Sequence, residues 1–127
     1  MNITNGSGRK GYKGQAGENL AKYDACYLNA DEKWYKAVAG AVATMPVVAM
    51  SLQAIASDSS GTLLLFGLTR NTAWAWTIGG IIYASCTAGE VTQVAPSTTG
   101  NQVQVLGIAI EGSLILFNPS YELVERA

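Results

Sequence analysis

The residues of this chain that could do chemistry are few and scattered. The 127-residue sequence contains no histidine, so it lacks the commonest general base, the commonest metal ligand and the usual activator of a serine or cysteine nucleophile. It also has no calcium-loop, CxxC or GxSxG motif. Asp31 and Glu32 are adjacent, and neighbours on a strand point to opposite faces. We therefore expect no enzymatic activity, metal or cofactor, and keep an acidic site at Asp31 or Glu111 as a distant alternative.

The two cysteines, Cys26 and Cys86, lie in different halves of the chain, each beside a tyrosine-bearing strand pattern. They could form one disulfide, but a single pair of cysteines is weak evidence for a bridge. The N-terminus lacks the apolar region of a secretory signal peptide. We therefore expect both thiols to be reduced and buried.

The pair Gly79-Gly80 has two interpretations. A glycine pair after a strand can cradle phosphate, but only if the N-terminus of a helix lies behind it. Here the β-branched Ile81-Ile82 follows, which favours a strand. The pair therefore indicates a bulge or a sharp bend rather than a phosphate site.

The N-terminal residues 1–17 have the composition of an arm. They hold five of the fourteen glycines and no acidic residue, and such a segment cannot build its own core. A solvated tail is the commoner form of such a sequence, whereas a functional arm would extend over a neighbouring subunit. It has too few positive charges for strong binding to nucleic acid, so we favour contact with a protein. The candidate contact residues are Ile3, Arg9, Lys10, Tyr12 and Lys13.

The rest of the chain, residues 18–127, contains the same order of short strand patterns twice. Such internal repetition outweighs any single-residue signal, and it predicts one all-β domain built from two related units at about 18–68 and 74–119. Strands are expected at 20–27, 34–36, 47–52 and 63–67 in the first unit, and at 76–83, 90–94, 103–110 and 114–119 in the second. A polar turn at 29–33 closes the first hairpin.

Three details of this body follow from local patterns. The apolar run at 62–68 predicts a strand covered on both faces. Residues 38–45 are mostly small, without a clear period, and are left open between a helical turn, a loop and a strand. The uncharged stretch 37–57 is long enough for a membrane helix, but Pro46 interrupts it, and a helix would break the match between the units. We therefore expect no membrane span.

Charge is unevenly distributed, although the net charge is only −1. Between residues 37 and 110 only Asp58, Arg70 and Glu90 are charged. A neutral Ser/Thr-rich surface would account for this, but interface cores are depleted in charge, and we favour a surface covered by copies of the chain or by another protein. Trp74 and Trp76 alternate with alanines, so in a strand both would point to one face, either in the core or at an interface. The candidate subunit-interface residues are Trp74, Trp76 and Tyr83.

Two groups of motifs resemble phage structural proteins. Gly17-Glu18-Asn19-Leu20 leads into Tyr27-Leu28 and the hairpin Asp31-Glu32-Lys33. This resembles small tailed-phage head-decoration proteins, also called capsid cement proteins, although Glu32 stands where glycine is usual. The later segment is similar to a module found in phage head proteins and at the ends of tail fibres; it includes Trp76-Thr77, Thr87-Ala88-Gly89, Ala95-Pro96-Ser97 and Ile115-Leu116-Phe117-Asn118-Pro119. The resemblance covers residue 17 onward.

The resemblance implies a small β-barrel or β-tulip-like fold, to which the composition of residues 1–17 adds an extended N-terminal arm without a counterpart in the resembled family. It also implies a homo-oligomer, taken as a trimer, assembled in the host cytoplasm and bound to the major capsid protein on the outer surface of the virion. From the low net charge and the few cations we expect no nucleic-acid or membrane partner. Such a protein would stabilise the shell through many small contacts. The alternative is a tail-fibre or receptor-recognising module, in which Trp34, Tyr35 and Trp74 would form an exposed aromatic patch.

Overall fold

The computed structural model describes residues 10–127, and their secondary structure is almost entirely β. A three-residue 3-10 turn, Val42–Thr44, is the helical element of this part of the chain. The strands are β1 (Lys10–Gln15), β2 (Ala25–Leu28), β3 (Trp34–Lys36), β4 (Ala49–Ser51), β5 (Ser60–Arg70), β6 (Ile81–Ala84), β7 (Val91–Thr92), β8 (Gln102–Val103), β9 (Val105–Glu111), β10 (Leu114–Phe117) and β11 (Val124–Glu125). The prediction of an all-β, barrel-like fold is confirmed.

Nine strands form one curled, half-barrel sheet, while β8 and β11 form a small second sheet. The order in the large sheet is β3-β2-β4-β5-β10-β9-β6-β7, and β1 also pairs with β5. The first half is paired in the order β3-β2-β4-β5, and the second half repeats it as β7-β6-β9-β10, so the halves meet where β5 pairs with β10. The relatedness of the two predicted units stays a prediction.

The long strand β5 belongs to both halves and contains a bulge. Residues 60–66 pair with β1 and residues 67–70 pair with β10. The partners of Lys10 and Gly11 are Phe66 and Leu64, so Leu65 is an extra residue on β5. An extra residue reverses which face later side chains point to. Gly67 is therefore buried, whereas Phe66 and Leu68 are each 39% exposed. The expectation of a strand covered on both faces is wrong for these two residues.

Two apolar cores lie on opposite faces of the first half of the sheet. The main core lies between the halves and contains Ala25, Ala37, Ala39, Met45, Val47, Met50, Leu64, Ile82, Ala84, Leu106, Ala109, Ile115 and Phe117. The second core contains Ala16, Leu20, Cys26, Trp34, Ala49, Ile55 and Leu63. Since the second core takes no residue from β6, β9 or β10, the described chain covers the first half on both faces and the second half on one.

The segment after residue 9 is part of the domain and not an arm. β1 pairs with β5 along its whole length, and the N–H of Gly17 donates to the carbonyl oxygen of Trp34 at 2.8 Å. Gly14 packs closely on Trp34, since a Cβ at Gly14 would lie 2.5 Å from the indole nitrogen. The predicted arm boundary at residue 17 is therefore corrected, because pairing with a distant strand supplies the contacts that a glycine-rich sequence cannot make locally. Ile3 and Arg9 lie outside the described residues.

The uncharged stretch 37–57 is not a continuous helix. It contains the 3-10 turn and β4, and the hydroxyl of Thr44 donates to the carbonyl oxygen of Val38 at 2.6 Å, which closes the turn. The open choice for residues 38–45 is thus resolved as a loop with one helical turn. Within residues 10–127, no helix has the length and apolar character needed to cross a bilayer.

A buried glutamine joins the two halves. Gln104, between β8 and β9, is completely buried, and its Oε1 accepts a hydrogen bond of 2.7 Å from the N–H of Val47. Its Nε2 donates to the carbonyl oxygens of Val47 at 2.8 Å and Ser120 at 2.7 Å. The side-chain amide therefore pairs with Val47 as a neighbouring strand would, and satisfies backbone groups that are costly to leave unpaired.

Replacing Gln104 by leucine should destabilise the fold by about 2–3 kcal/mol, because the buried N–H and C=O of Val47 would lose their partners. Gln93→Leu is the matched control. Gln93 bonds to the backbone N–H and C=O of Thr77 at 2.9 and 2.8 Å, but Thr77 is exposed, so water can replace the amide and the loss should be below about 1 kcal/mol. Denaturant unfolding measures both variants, and equal losses would contradict this role of Gln104.

Candidate interaction surfaces

The predicted contact residues of the arm that fall within the structure lie on β1. Tyr12 and Lys13 are exposed, whereas Lys10 is half-buried opposite Phe66. The ring of Tyr12 lies 6.1 Å from that of Trp34, so its position is set by the second core. Among the described strands β1 pairs only with β5. Ala16, directly after β1, bridges to Trp34, but the edge of β1 that faces away from β5 has no strand partner among the described residues and is available to an added strand.

The second half of the sheet carries an apolar surface directed away from the main core. In the registers of β5, β10, β9 and β6, Leu68 lies opposite Leu116, Leu116 opposite Ile108, and Ile108 opposite Ile81. Cross-strand partners share a face of the sheet, so these four residues form one continuous row. We define the outer apolar face as Phe66, Leu68, Ile81, Tyr83, Val105, Ile108, Ile110, Leu114 and Leu116.

Five members of the outer apolar face, Phe66, Leu68, Ile81, Val105 and Ile110, are between 39% and 44% exposed. Together with their half-buried neighbours they expose an area on the order of several hundred Å², the size at which a patch on a monomer is often functional. At its border, Arg70 forms a 3.0 Å ion pair with Glu111. The outer apolar face therefore has the low charge and the width of a protein-contact surface.

A second candidate surface is a cleft in which three aromatic rings meet. Ring centroids lie 5.3 Å apart for Tyr23 and Trp74, and 5.5 Å apart for Trp74 and Trp76, with tilted planes. We call this the aromatic cleft; its volume is about 270 Å³. Its lining residues are Lys22, Tyr23, Asp24, Trp74, Trp76, Gly89, Glu90 and Val91.

Hydrogen bonds and close packing fix the walls of the aromatic cleft. The hydroxyl of Tyr23 donates to the carbonyl oxygen of Arg70 at 2.7 Å, and the carboxylate of Asp24 accepts from the N–H of Ala21 at 2.8 Å. Gly89 has φ +76°, and a Cβ there would lie 2.7 Å from Asp24 Oδ1, so glycine is needed at this position. Burial raises the pKa of Asp24 above its ordinary value.

One polar atom of the aromatic cleft lacks a partner. The Nε1 of Trp76 is buried and makes no hydrogen bond to any described residue, although its backbone N–H donates to the carbonyl oxygen of Gly112 at 2.8 Å. A buried donor without an acceptor is costly. The indole is therefore held in place by its tilted contact with Trp74, by packing against the main core and by the backbone bond, not by a bond of its own ring nitrogen.

The structure divides the predicted interface residues between the two surfaces. Trp74 and Trp76 lie in the connection between β5 and β6, not in a strand, but their rings are together as the alternation indicated. Tyr83 lies on β6 opposite Val105 and belongs to the outer apolar face. The outer row itself was missed, although the alternation at 105–110 was a signal for one exposed face. A role of the three predicted residues at an interface stays a prediction.

The aromatic patch expected for a tail-fibre module is not assembled as predicted. Trp34 is buried in the second core, whereas Trp74 packs against the main core, and the two therefore lie on different cores. Tyr35 is half-buried, and its hydroxyl donates to Asp31 at 2.6 Å. The prediction is thus wrong for Trp34, because the apolar side of this hairpin faces inward.

The acidic residues and cysteines do not converge on one site. The hydrogen bond from Tyr35 keeps the pKa of Asp31 below its usual value, and Glu111 is paired with Arg70. Residues 10–127 contain no group of three or more His, Cys, Asp or Glu residues that could hold a metal. Both cysteines are free thiols, Cys26 buried and Cys86 exposed, so the expectation of two buried thiols is wrong for Cys86. Burial raises the pKa of Cys26.

In comparison with known proteins, no family model matches this chain, and no curated protein matches it. The similarity to phage decoration proteins therefore rests on the motifs in the sequence.

The opposite pKa shifts of Asp24 and Asp31 predict opposite pH effects. Asp24 holds its proton more tightly in the folded state, so its contribution to stability falls as the pH rises through its folded pKa. Asp31 holds its proton less tightly in the folded state, so its contribution is present above the unfolded pKa and is lost as the pH falls through its folded pKa. Relative to the unmodified protein, Asp24→Asn should therefore gain thermal stability between mildly acidic and neutral pH, whereas Asp31→Asn should lose it.

Thermal unfolding over a pH series measures both variants. Each serves as the control for the other, because both remove one carboxylate from the same chain. A change of the same sign in the two variants would contradict the assignment.

Proposed function

We propose that this chain is a virion structural protein that decorates and stabilises the outer surface of a phage capsid, by self-association and by clamping shell subunits. The observation that carries the proposal is the apolar row Leu68, Leu116, Ile108 and Ile81 on the outer apolar face. A monomer rarely leaves such a row uncovered. A protein that functions in contact with copies of itself covers it on assembly.

The composition of the outer apolar face favours a copy of the same chain as its partner. The face consists of aliphatic and aromatic side chains, and the ion pair Arg70–Glu111 at its border is satisfied within one subunit. A copy therefore meets it without bringing like charges together, and burial of each large apolar side chain contributes about 1–3 kcal/mol at most. A homotrimer is the assembly that the resemblance to decoration proteins implies.

We assign contact with the major capsid protein to β1 and the residues before it. Tyr12 and Lys13 are exposed on β1, and the edge of β1 that faces away from β5 can accept an added strand. Several weak contacts of this kind in each oligomer would act together and hold a shell firmly. Counting copies per particle tests the location: hundreds of copies support a head protein, whereas a few dozen support a position on the tail.

Ile81→Glu should convert the oligomer into monomers, because a carboxylate would have to be buried against an apolar partner surface. Association should weaken at least tenfold, the equivalent of about 1.4 kcal/mol. Val124→Glu is the control, since Val124 is exposed on β11 of the small second sheet. Sedimentation velocity measures the size of both variants, and circular dichroism checks their fold. An unmodified protein that is monomeric at micromolar concentration would refute self-association through this face.

Removing residues 1–9 should weaken binding to mature phage heads while leaving thermal stability unchanged. The cut ends before β1, so the pairing of β1 with β5 is retained. Removing residues 1–17 instead should also destabilise the domain, because β5 would lose that partner and the second core would lose Ala16. Co-sedimentation with heads measures binding. Full binding by the shorter truncation would show that the first nine residues do not contact the shell.

A further inference from the structure

We propose that the aromatic cleft binds a single cationic group, the ammonium or guanidinium of a lysine or arginine side chain on an adjoining protein. Three ring systems, Tyr23, Trp74 and Trp76, line the cleft with tilted planes. The faces of aromatic rings attract cations, most strongly for tryptophan. This inference does not depend on the role in a capsid.

The charges around the aromatic cleft favour a positive ligand. Asp24 and Glu90 contribute two carboxylates to its lining, and Lys22 contributes one ammonium. Lys22 Nζ already lies 5.0 Å from the centroid of the Tyr23 ring, within the distance at which a cation interacts with a ring face. This contact shows that the Tyr23 ring can hold a cation. Because Lys22 is exposed, its ammonium can leave the ring, but until it does so it competes with an incoming cation.

The aromatic cleft is held in shape before a ligand arrives. Tyr23 has φ +75°, a conformation that side-chain-bearing residues seldom adopt. It is kept there by the donation of its N–H to the carbonyl oxygen of Ser51 at 2.7 Å and of its hydroxyl to Arg70. Backbone strain of this kind is concentrated at binding sites. A fixed cleft lowers the entropy cost of binding.

The size of the aromatic cleft suits one side chain. Its volume of about 270 Å³ is below the range of roughly 300–1,000 Å³ typical of sites for drug-sized molecules. An uncharged ring, such as that of a sugar, could also stack on tryptophan. The excess of carboxylates and the contact of Lys22 with Tyr23 favour the cation.

The test titrates the full chain with N-acetyl-arginine amide and follows the three indole N–H signals by NMR. Trp74 and Trp76 line the cleft, whereas Trp34 is buried in the second core and serves as an internal control. The signals of Trp74 and Trp76 should shift saturably while that of Trp34 stays fixed. N-acetyl-citrulline amide, which has nearly the same shape without the charge, should bind at least threefold more weakly.

Two variants test the direction of the charge effect. Glu90→Gln should weaken binding of the arginine probe roughly two- to fivefold, the range expected for an exposed charge pair, and Glu111→Gln, outside the cleft, should leave it unchanged. Lys22→Ala should tighten binding, because it removes the competing ammonium. The proposal is overturned if no saturable shift occurs, if citrulline or an uncharged sugar binds as well as arginine, or if Lys22→Ala weakens binding.

Discussion

The extra residue in β5 determines what both halves of this protein can do. Before Leu65, Leu64 points into the main core; after it, Gly67 and Thr69 are buried, and Phe66 and Leu68 point outward. Without this bulge the two large side chains would face the core and the polar Thr69 would face water. The reversal aligns Leu68 with Leu116 and the rest of the apolar row. A single backbone irregularity therefore creates the surface on which the proposed self-association depends.

The halves are joined by strand pairing, by backbone hydrogen bonds between loops and by one buried side chain. β5 and β10 pair directly. Away from this pairing, Ala39 donates its N–H to the carbonyl oxygen of Ser85 at 2.9 Å, and Gly89 donates to that of Ala37 at 2.9 Å. There the amide of Gln104 also replaces strand pairing for Val47. A side chain that satisfies both backbone groups of a buried residue lets the sheet close around a small core without a further strand. The two halves of the half-barrel are therefore held together by strand pairing and, away from it, by backbone and side-chain hydrogen bonds.

Local patterns in the sequence predicted most of the strands and the first hairpin, but not the long-range features. The expected strand at 76–83 is wrong for residues 76–80, which lie in the connection before β6. Alternation and turn residues indicated an all-β chain, and Glu32, which stands where the resembled family has glycine, adopts φ +68°, as a glycine position would. β1 was taken for an arm because its glycine-rich sequence has no local signal, and its partner lies some fifty residues later. The apolar run at 62–68 concealed the bulge, since residues 63–66 are all large and apolar and no polar residue marks which side chains point outward. The aromatic cleft combines residues from three separate turns, which no spacing could reveal.

The sharing of β5 also affects how the chain responds to cleavage. The connection between β5 and β6, at residues 71–80, joins the two halves in sequence, but their attachment does not rely on it. A protein nicked by a protease at Ala73 would remain one particle, because the ladder from β5 to β10 and the interlocked main core still hold the pieces together. The fold therefore persists even when the backbone is cut at this point.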